Sequence, residues 1–352
     1  MKRIFGVFLV LCVVAYSFAF LSPTHAQTDT GALYLTTSPL PISLVAKPGE
    51  TVTADIRVKN GGTKPEVLKV GLMKFTSNGT DGKPKLAERE PGDAYFDWVS
   101  FSKNTFVAQP NEWQTVKITI TIPKTAAFGY YYAVTFSRAN VAKPTSPREQ
   151  TLQGGTAVLV LLEVKVPNAQ RTMAIDQFTI NRKSYEFLPA TFTVRVKNNG
   201  NVHGIPSGNI FITRGGKAVA TLDVNKPQGN VLPQSSREFT SMWEDGFPVY
   251  KTSEKNGAVV LKNGKPVQNL TWNFSQADRL RFGRYTARAV VVYSDGTRDV
   301  PMEAVVSFWV IPWRLIGMVL VPIAIIAILL IGYLRLRRKL HNLQQPKQKV
   351  VK

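Results

Sequence analysis

From residue 32 onward, apolar and polar side chains alternate with a period of two, and turn residues break the pattern every few positions. Alternation of this kind predicts strands, because successive side chains of a strand point to opposite faces of a sheet. Residues 44–46 read as a short strand closed by the turn 47–50, Lys-Pro-Gly-Glu. In residues 52–60 the pattern puts Val52, Ala54, Ile56 and Val58 on one face and Asp55, Arg57 and Lys59 on the other. Strands are likewise expected at 67–75, 113–122, 128–136, 157–166 and 302–310. The run at 157–162 is apolar on both faces before it begins to alternate. Gly215-Gly216 and Asn263-Gly264, each between strand-forming runs, read as hairpin turns.

The pattern then repeats. Residues 190–200 (ATFTVRVKNNG) match 52–62 (VTADIRVKNGG) almost position for position, and Phe282-Gly283-Arg284-Tyr285 matches Phe128-Gly129-Tyr130-Tyr131. Two copies of a strand-rich unit predict an all-β chain of two tandem immunoglobulin-like β-sandwiches, at 27–166 and 171–312, joined by a linker at 167–170. Aligning glycine on glycine pairs Tyr131 with Tyr285 and Ala133 with Ala287. On that alignment Tyr131 and Tyr285 are structural tyrosines facing inward, of the kind that bond their hydroxyl back to the chain at a sandwich corner. Tyr130, Tyr132 and Val134 then face outward as a candidate ligand-binding strip, where the second copy carries Arg284, Thr286 and Arg288.

Only the two ends depart from this pattern. Residues 315–334 (LIGMVLVPIAIIAILLIGYL) are twenty residues without a charge, which at about 1.5 Å per residue spans a bilayer core of about 30 Å. Trp309, Trp313 and Tyr333 stand where interfacial aromatics belong. Arg335, Arg337, Arg338 and Lys339 open a tail, 335–352, with seven basic and no acidic residues. The bias puts that tail in the cytoplasm and both sandwiches outside. Residues 1–26 have the basic start, apolar run and small-residue site of a secretory signal peptide, either cleaved before Gln27 or kept as a second anchor. Pro322 lies within the apolar helix and is tolerated there.

The net charge of +21 is unevenly spread. Setting aside the nine basic residues of the two ends leaves 35 basic against 23 acidic in the body. An outward-facing basic body attracts anionic polymer, and its location argues against nucleic acid as a partner. Cys12, inside the apolar run, is the only cysteine. No disulfide can form, so stability must come from two buried cores.

Several motifs together resemble one family. They are the Pro-Gly-Glu turn before a strand ending Lys59-Asn60, Asp97-Trp98-Val99, Pro110-Asn111-Glu112, and Ile122-Pro123 before Phe128-Gly129-Tyr130-Tyr131. In this order, and with a C-terminal anchor, they resemble the WxL-interacting proteins of Gram-positive surfaces. That resemblance implies a peptidoglycan-binding first domain, a second β domain for a surface or host protein partner, and a membrane anchor.

Catalytic chemistry is sparse. His25, His203 and His341 are the only histidines. Without cysteine partners they exclude a Cys/His nucleophile and a zinc site of ordinary composition. His203, in a Gly/Asn loop, reads as solvated. Glu88/Glu90 and Glu244/Asp245 are the only candidate carboxylate pairs for glycan cleavage. No metal or cofactor motif is present, and no Leu-Pro-x-Thr-Gly sorting signal precedes the helix. The expectation is a non-catalytic, membrane-anchored surface protein contacting peptidoglycan or another anionic wall polymer and a protein partner. The alternative is a membrane-tethered assembly chaperone that pairs a strand edge with an exported protein.

Overall fold

The computed structural model describes residues 32–139, 155–255 and 257–344. The expected export signal and the last residues of the basic tail lie outside them. The first sandwich runs through β1 (Leu35–Ser38), β2 (Ile42–Ala46), β3 (Thr51–Asn60), β4 (Glu66–Ser77) and β5 (Pro84–Ala87). It continues through β6 (Val99–Phe101), β7 (Thr105–Ala108), β8 (Trp113–Thr121), β9 (Phe128–Arg138) and β10 (Thr156–Val164). One sheet has the order β1-β3-β8-β6 and the other β2-β10-β9-β4-β5, with β7 beside β4. Their facing sides bury Ile56, Val58, Val116, Ile118, Ile120, Val134, Phe136 and Val160. Alternation in β3 and β8 delivers these residues to one face and leaves Asp55, Arg57 and Lys117 in solvent.

The second sandwich starts with β11 (Met173–Ile180), β12 (Ser184–Tyr185), β13 (Ala190–Asn198), β14 (Ser207–Arg214), β15 (Lys217–Val224) and β16 (Ser236–Trp243). A lobe of short strands interrupts it: β17 (Val249–Thr252) pairs β22 (Gln268–Thr271), β18 (Glu254–Lys255) pairs β19 (Ala258–Val259), and β20 (Leu261–Lys262) pairs β21 (Lys265–Pro266). Strands β23 (Gly283–Ser294) and β24 (Asp299–Val310) complete it, giving sheets β11-β13-β16 and β12-β24-β23-β14-β15. Both expected glycine turns form: Gly215 and Gly216 join β14 to β15, and Asn263 and Gly264 join β20 to β21, all four at positive φ.

The two sandwiches are built alike. In each, the first strand leaves one sheet for the other: β1 pairs antiparallel with β3 while β2 runs parallel to β10, and β11 and β12 do the same with β13 and β24. Between β1 and β2, Pro39 and Pro41 have no N–H to continue a ladder. Asn60 and Asn198 close the same loop in each copy. Nδ2 of Asn60 donates to the carbonyls of Lys64 and Ala108 at 2.7 and 3.1 Å, and its Oδ1 accepts from the Gly62 N–H at 2.8 Å. Asn198 repeats this with Val202, Val231 and Gly200 at 2.8, 2.9 and 2.8 Å. Both side chains are fully buried, so their polar atoms must be satisfied internally.

The tyrosines follow a different register from the one glycine alignment implies. The Phe282 N–H bonds the Tyr285 hydroxyl at 3.2 Å, and its counterpart is the Ala127 N–H on the Tyr130 hydroxyl at 3.3 Å. The positive-φ residues agree: Gly283 corresponds to Phe128, since each faces the last valine of its sheet neighbour, Val310 and Val164. The copies are therefore offset by one from the glycine match. Because side chains alternate, a shift of one exchanges the faces. Tyr132 and Val134, expected outside, are both at 0% exposure in the core, with Tyr130 packed against it. Tyr131, expected inside, lies on the opposite face with Ala133. Tyr285 is buried as expected.

After β24 the chain makes one long helix, α1 (Trp313–Gln344), which is longer at both ends than residues 315–334. Within Trp313–Lys339 this helix has a stretch long and apolar enough to cross a membrane, and that stretch is not buried against protein. Tyr333, Arg335, Arg337, Arg338 and Lys339 are exposed on it.

Candidate functional site

A sheet normally buries one face and wets the other. In the sheet β2-β10-β9-β4-β5, the central strands β9 and β10 bury side chains on both. Its outer side gathers Phe75, Ala133 and Leu161, with Met73, Leu86, Tyr131, Ala157 and Leu159 beside them and Leu232 of the second sandwich laid over them. This explains why β10 reads as apolar on both faces. Where the cover is incomplete, an apolar cleft of about 310 Å³ opens between the sandwiches. Phe75, Leu159 and Leu161 line one side, Leu40 and Pro41 its rim, and residues 227–232 with Arg237 the other.

The cleft lies along an incomplete strand edge. β2 pairs only with residues 160–164 of β10, whereas β9 pairs with all of 156–164. Among the described residues no strand pairs with Thr156, Ala157, Val158 or Leu159 on the side away from β9. Such an edge is a template for another strand. Asn230 is one of the lining residues, and its Oδ1 is shut off from solvent and accepts no hydrogen bond. A buried acceptor without a donor costs about 1–3 kcal/mol.

Polar contacts hold the junction at the far side of the same sheet. Glu163, at the end of β10, pairs with Arg171 just beyond the linker. His203 Nδ1 meets the Tyr131 hydroxyl at 3.4 Å, and the two rings meet edge to face. His203 is thus no solvated loop residue. Burial, with the Arg171 charge adding to it, pushes its pKa down to about 4. Burial likewise raises the Tyr131 hydroxyl well above its ordinary value. The Glu238 N–H donates to the Thr80 carbonyl at 2.7 Å, tying β16 to the β4–β5 turn.

The remaining aromatic residues of the first sandwich and the candidate carboxylates scatter. The Tyr132 hydroxyl donates to the Tyr95 carbonyl at 3.2 Å inside the core, and withdrawing its ring would forfeit about 2–3 kcal/mol. Trp98 packs on Tyr95 and Tyr130. Trp113 is instead 43% exposed on the outer face of the first sheet, with Arg57 and Lys59 each 5.5 Å from its ring. Glu90 reaches Lys74 at 3.1 Å, and Asp245 is gripped by Arg279 and Arg281 at 2.5 and 2.6 Å. Among the described residues no three His, Cys, Asp or Glu side chains come together as a metal site.

No family model matches the chain, and no curated protein matches it. Solved structures similar in fold include the class 5 fimbriae chaperone CfaA, 13% identical over 77% of this chain and 98% of that one, TM-score 0.34. A chain of the CsuC–CsuE chaperone–tip adhesion subunit pre-assembly complex of Acinetobacter baumannii is 13% identical over 77% and 97%, TM-score 0.34. The Escherichia coli chaperone DraB is 12% identical over 77% and 98%, TM-score 0.29. Likeness at this level leaves function to the chain's own geometry.

Proposed function

We propose that this chain is a single-span membrane protein that binds, without catalysis, an extended segment of another exported protein, as a tethered assembly factor. The unpaired stretch of β10 beside the apolar cleft carries this reading. A guest strand laid against 156–159 would gain main-chain hydrogen bonds, and every second side chain could enter the cleft. The basic residues after the apolar stretch of α1 support a cytoplasmic tail and sandwiches outside, by the positive-inside bias.

The reading is tested in cells with a photo-crosslinking residue at position 159, and another at 305, its exposed counterpart in the second sandwich. Adducts at 159 and not at 305, mapping to one extended apolar segment of an exported protein, are expected. Equal adducts at both positions, or none at 159, would overturn it.

A second reading, an anionic wall glycan on the outer face of the first sheet, is favoured by Trp113 standing exposed between Arg57 and Lys59. An aromatic plate flanked by cations suits a sugar ring bearing carboxylates or phosphates. Retention of the whole protein on purified peptidoglycan should then survive about 0.5 M salt, where simple charge attraction is screened, and fail in Trp113→Ala. Retention that salt abolishes in both proteins would dismiss it.

A further inference from the structure

The junction between the second sandwich and α1 is short and fixed. Only Ile311 and Pro312 separate Val310 at the end of β24 from Trp313 at the start of the helix. Two intervening residues allow a reach of at most about 11 Å. The Ile311 N–H is bonded to the Tyr185 carbonyl at 2.7 Å, and Arg314 Nε approaches Glu186 at 3.4 Å. A helix that enters a bilayer at Trp313 therefore holds this end of the sandwich against the lipid surface.

That end carries large apolar side chains that the protein core does not use. Gly283 pairs with Val310, so Phe282 and Leu280 lie at the level where β24 gives way to the helix. Both are about half exposed, at 46% and 45%. Phe274, in the kinked 3-10 segment Phe274–Arg279 just before them, is 73% exposed, although its ring is supported from behind by Trp272 and Phe247. The turn itself is pinned, because the Phe247 N–H bonds the Arg279 carbonyl at 3.0 Å and Arg281 grips Asp245. Trp309, 48% exposed, pairs with Arg284 on β24, one step from Val310. The exposed cations Arg182, Lys183 and Arg284 flank this end, with Lys183 accepting the Trp309 N–H on its carbonyl at 3.0 Å. Exposed aromatic and aliphatic side chains rimmed by basic groups have the composition of a surface that sits in a headgroup layer.

We infer that the membrane-facing end of the second sandwich is itself a lipid-binding surface: Phe274, Leu280 and Phe282 dip into the outer leaflet beside the helix, and the neighbouring cations meet anionic headgroups. The partner is the lipid bilayer that holds α1, so the inference rests on the helix spanning it. The consequence is a sandwich docked on the membrane rather than swinging on a stalk, which sets how far the interdomain cleft stands from the surface.

The whole chain, with Cys12→Ser, is reconstituted in vesicles of equal phosphatidylglycerol and phosphatidylethanolamine. A nitroxide is placed in turn at Phe274→Cys, Leu280→Cys, Val305→Cys and Val319→Cys. All four side chains are exposed, so no core is opened. Accessibility to oxygen, which partitions into lipid, is compared with that to a water-soluble nickel chelate. Val319 in the helix should favour oxygen, and Val305, about 17 Å up the strand from Val310, the chelate. Phe274 and Leu280 are expected to resemble Val319, with the oxygen preference falling when phosphatidylglycerol is replaced by phosphatidylcholine. If they resemble Val305 while Val319 stays in lipid, the docking surface is refuted and the anchor stands. If Val319 itself favours the chelate, the anchor reading falls and this inference with it.

Discussion

The outer faces of the two sandwiches, built on corresponding strands, have opposite fates. In the first, Ala133 lies between Met73 and Leu159 and is fully buried beneath the second sandwich. At the corresponding place in the second, Arg288 lies between Phe211 and Val305, exposed, and reaches Glu303 at 2.5 Å. The last strands show the same contrast. Glu163 faces Arg171 at the junction between sandwiches, while its counterpart Trp309 stands exposed where the chain turns into the helix. One fold thus serves twice, and each copy hands its C-terminal end to a different neighbour, a second sandwich in one case and a membrane-length helix in the other. What differs is the side-chain chemistry of a single sheet face.

Exchanging the residues at that face is the strongest way to break the comparison. Ala133→Arg would drive a charge into the covered face and should cost about 3 kcal/mol or more, or force the sandwiches apart. Arg288→Ala removes only an exposed ion pair and should stay within about 1 kcal/mol. Chemical denaturation measures both, and similar costs would show that the first face is not covered.

A smaller effect comes from His203 between the sandwiches. Its folded pKa of about 4 lies below the ordinary 6.5, so the unfolded chain takes up the proton first as pH falls. The stability tied to the neutral ring is complete above about pH 6.5. It is lost on acidification towards pH 4, at no more than about 1.4 kcal/mol per pH unit. Arg171 and Tyr131 face the ring and Glu163 lies behind Arg171, so the profile is read against His203→Gln. That variant should lose the part of the slope due to this group, and an unchanged slope would mean that the ring is not buried.

The smallest effect sharpens the register. Tyr130→Phe and Tyr285→Phe each remove a hydroxyl that accepts a backbone N–H three residues upstream, and should cost similar amounts, about 1 kcal/mol. Tyr131→Phe removes only the contact with His203. Should Tyr131→Phe rather than Tyr130→Phe match Tyr285→Phe under denaturant, and should it do so at a pH where His203 is neutral, the one-residue offset between copies would be wrong.

That offset also shows why the face assignment could not be read from the chain. Glycine at 129 and 283 invites a glycine-on-glycine match, yet the backbone places its left-handed residue at 128 and 283. Phe128 occupies there a conformation for which glycine is the ordinary choice. A motif whose glycine stands one step away from the left-handed position therefore misled the alignment, and the period of two turned that step into a reversal of Tyr130, Tyr132 and Val134. The strands around it were legible because alternation is local. Asn60 and Asn198 were legible as a repeat, although their shared role in closing a loop needed the carbonyls of residues 48 and 33 positions away.

The amino-acid sequence by itself determined the strand-rich chain, the two copies, the glycine turns and the apolar C-terminal helix, because each depends on neighbours within a few residues. It also carried a signal of the cleft in the doubly apolar run 157–162, although nothing local says what covers such a run. Tertiary structure alone decided that the second sandwich covers it, that β2 stops short of residues 156–159, and that His203 is half-buried against Tyr131. It also decided that Gly283, and with it Phe282, lies level with Val310 at the end of β24. These are juxtapositions of segments far apart in the chain, fixed by how sheets pack, and no periodicity along the backbone encodes them.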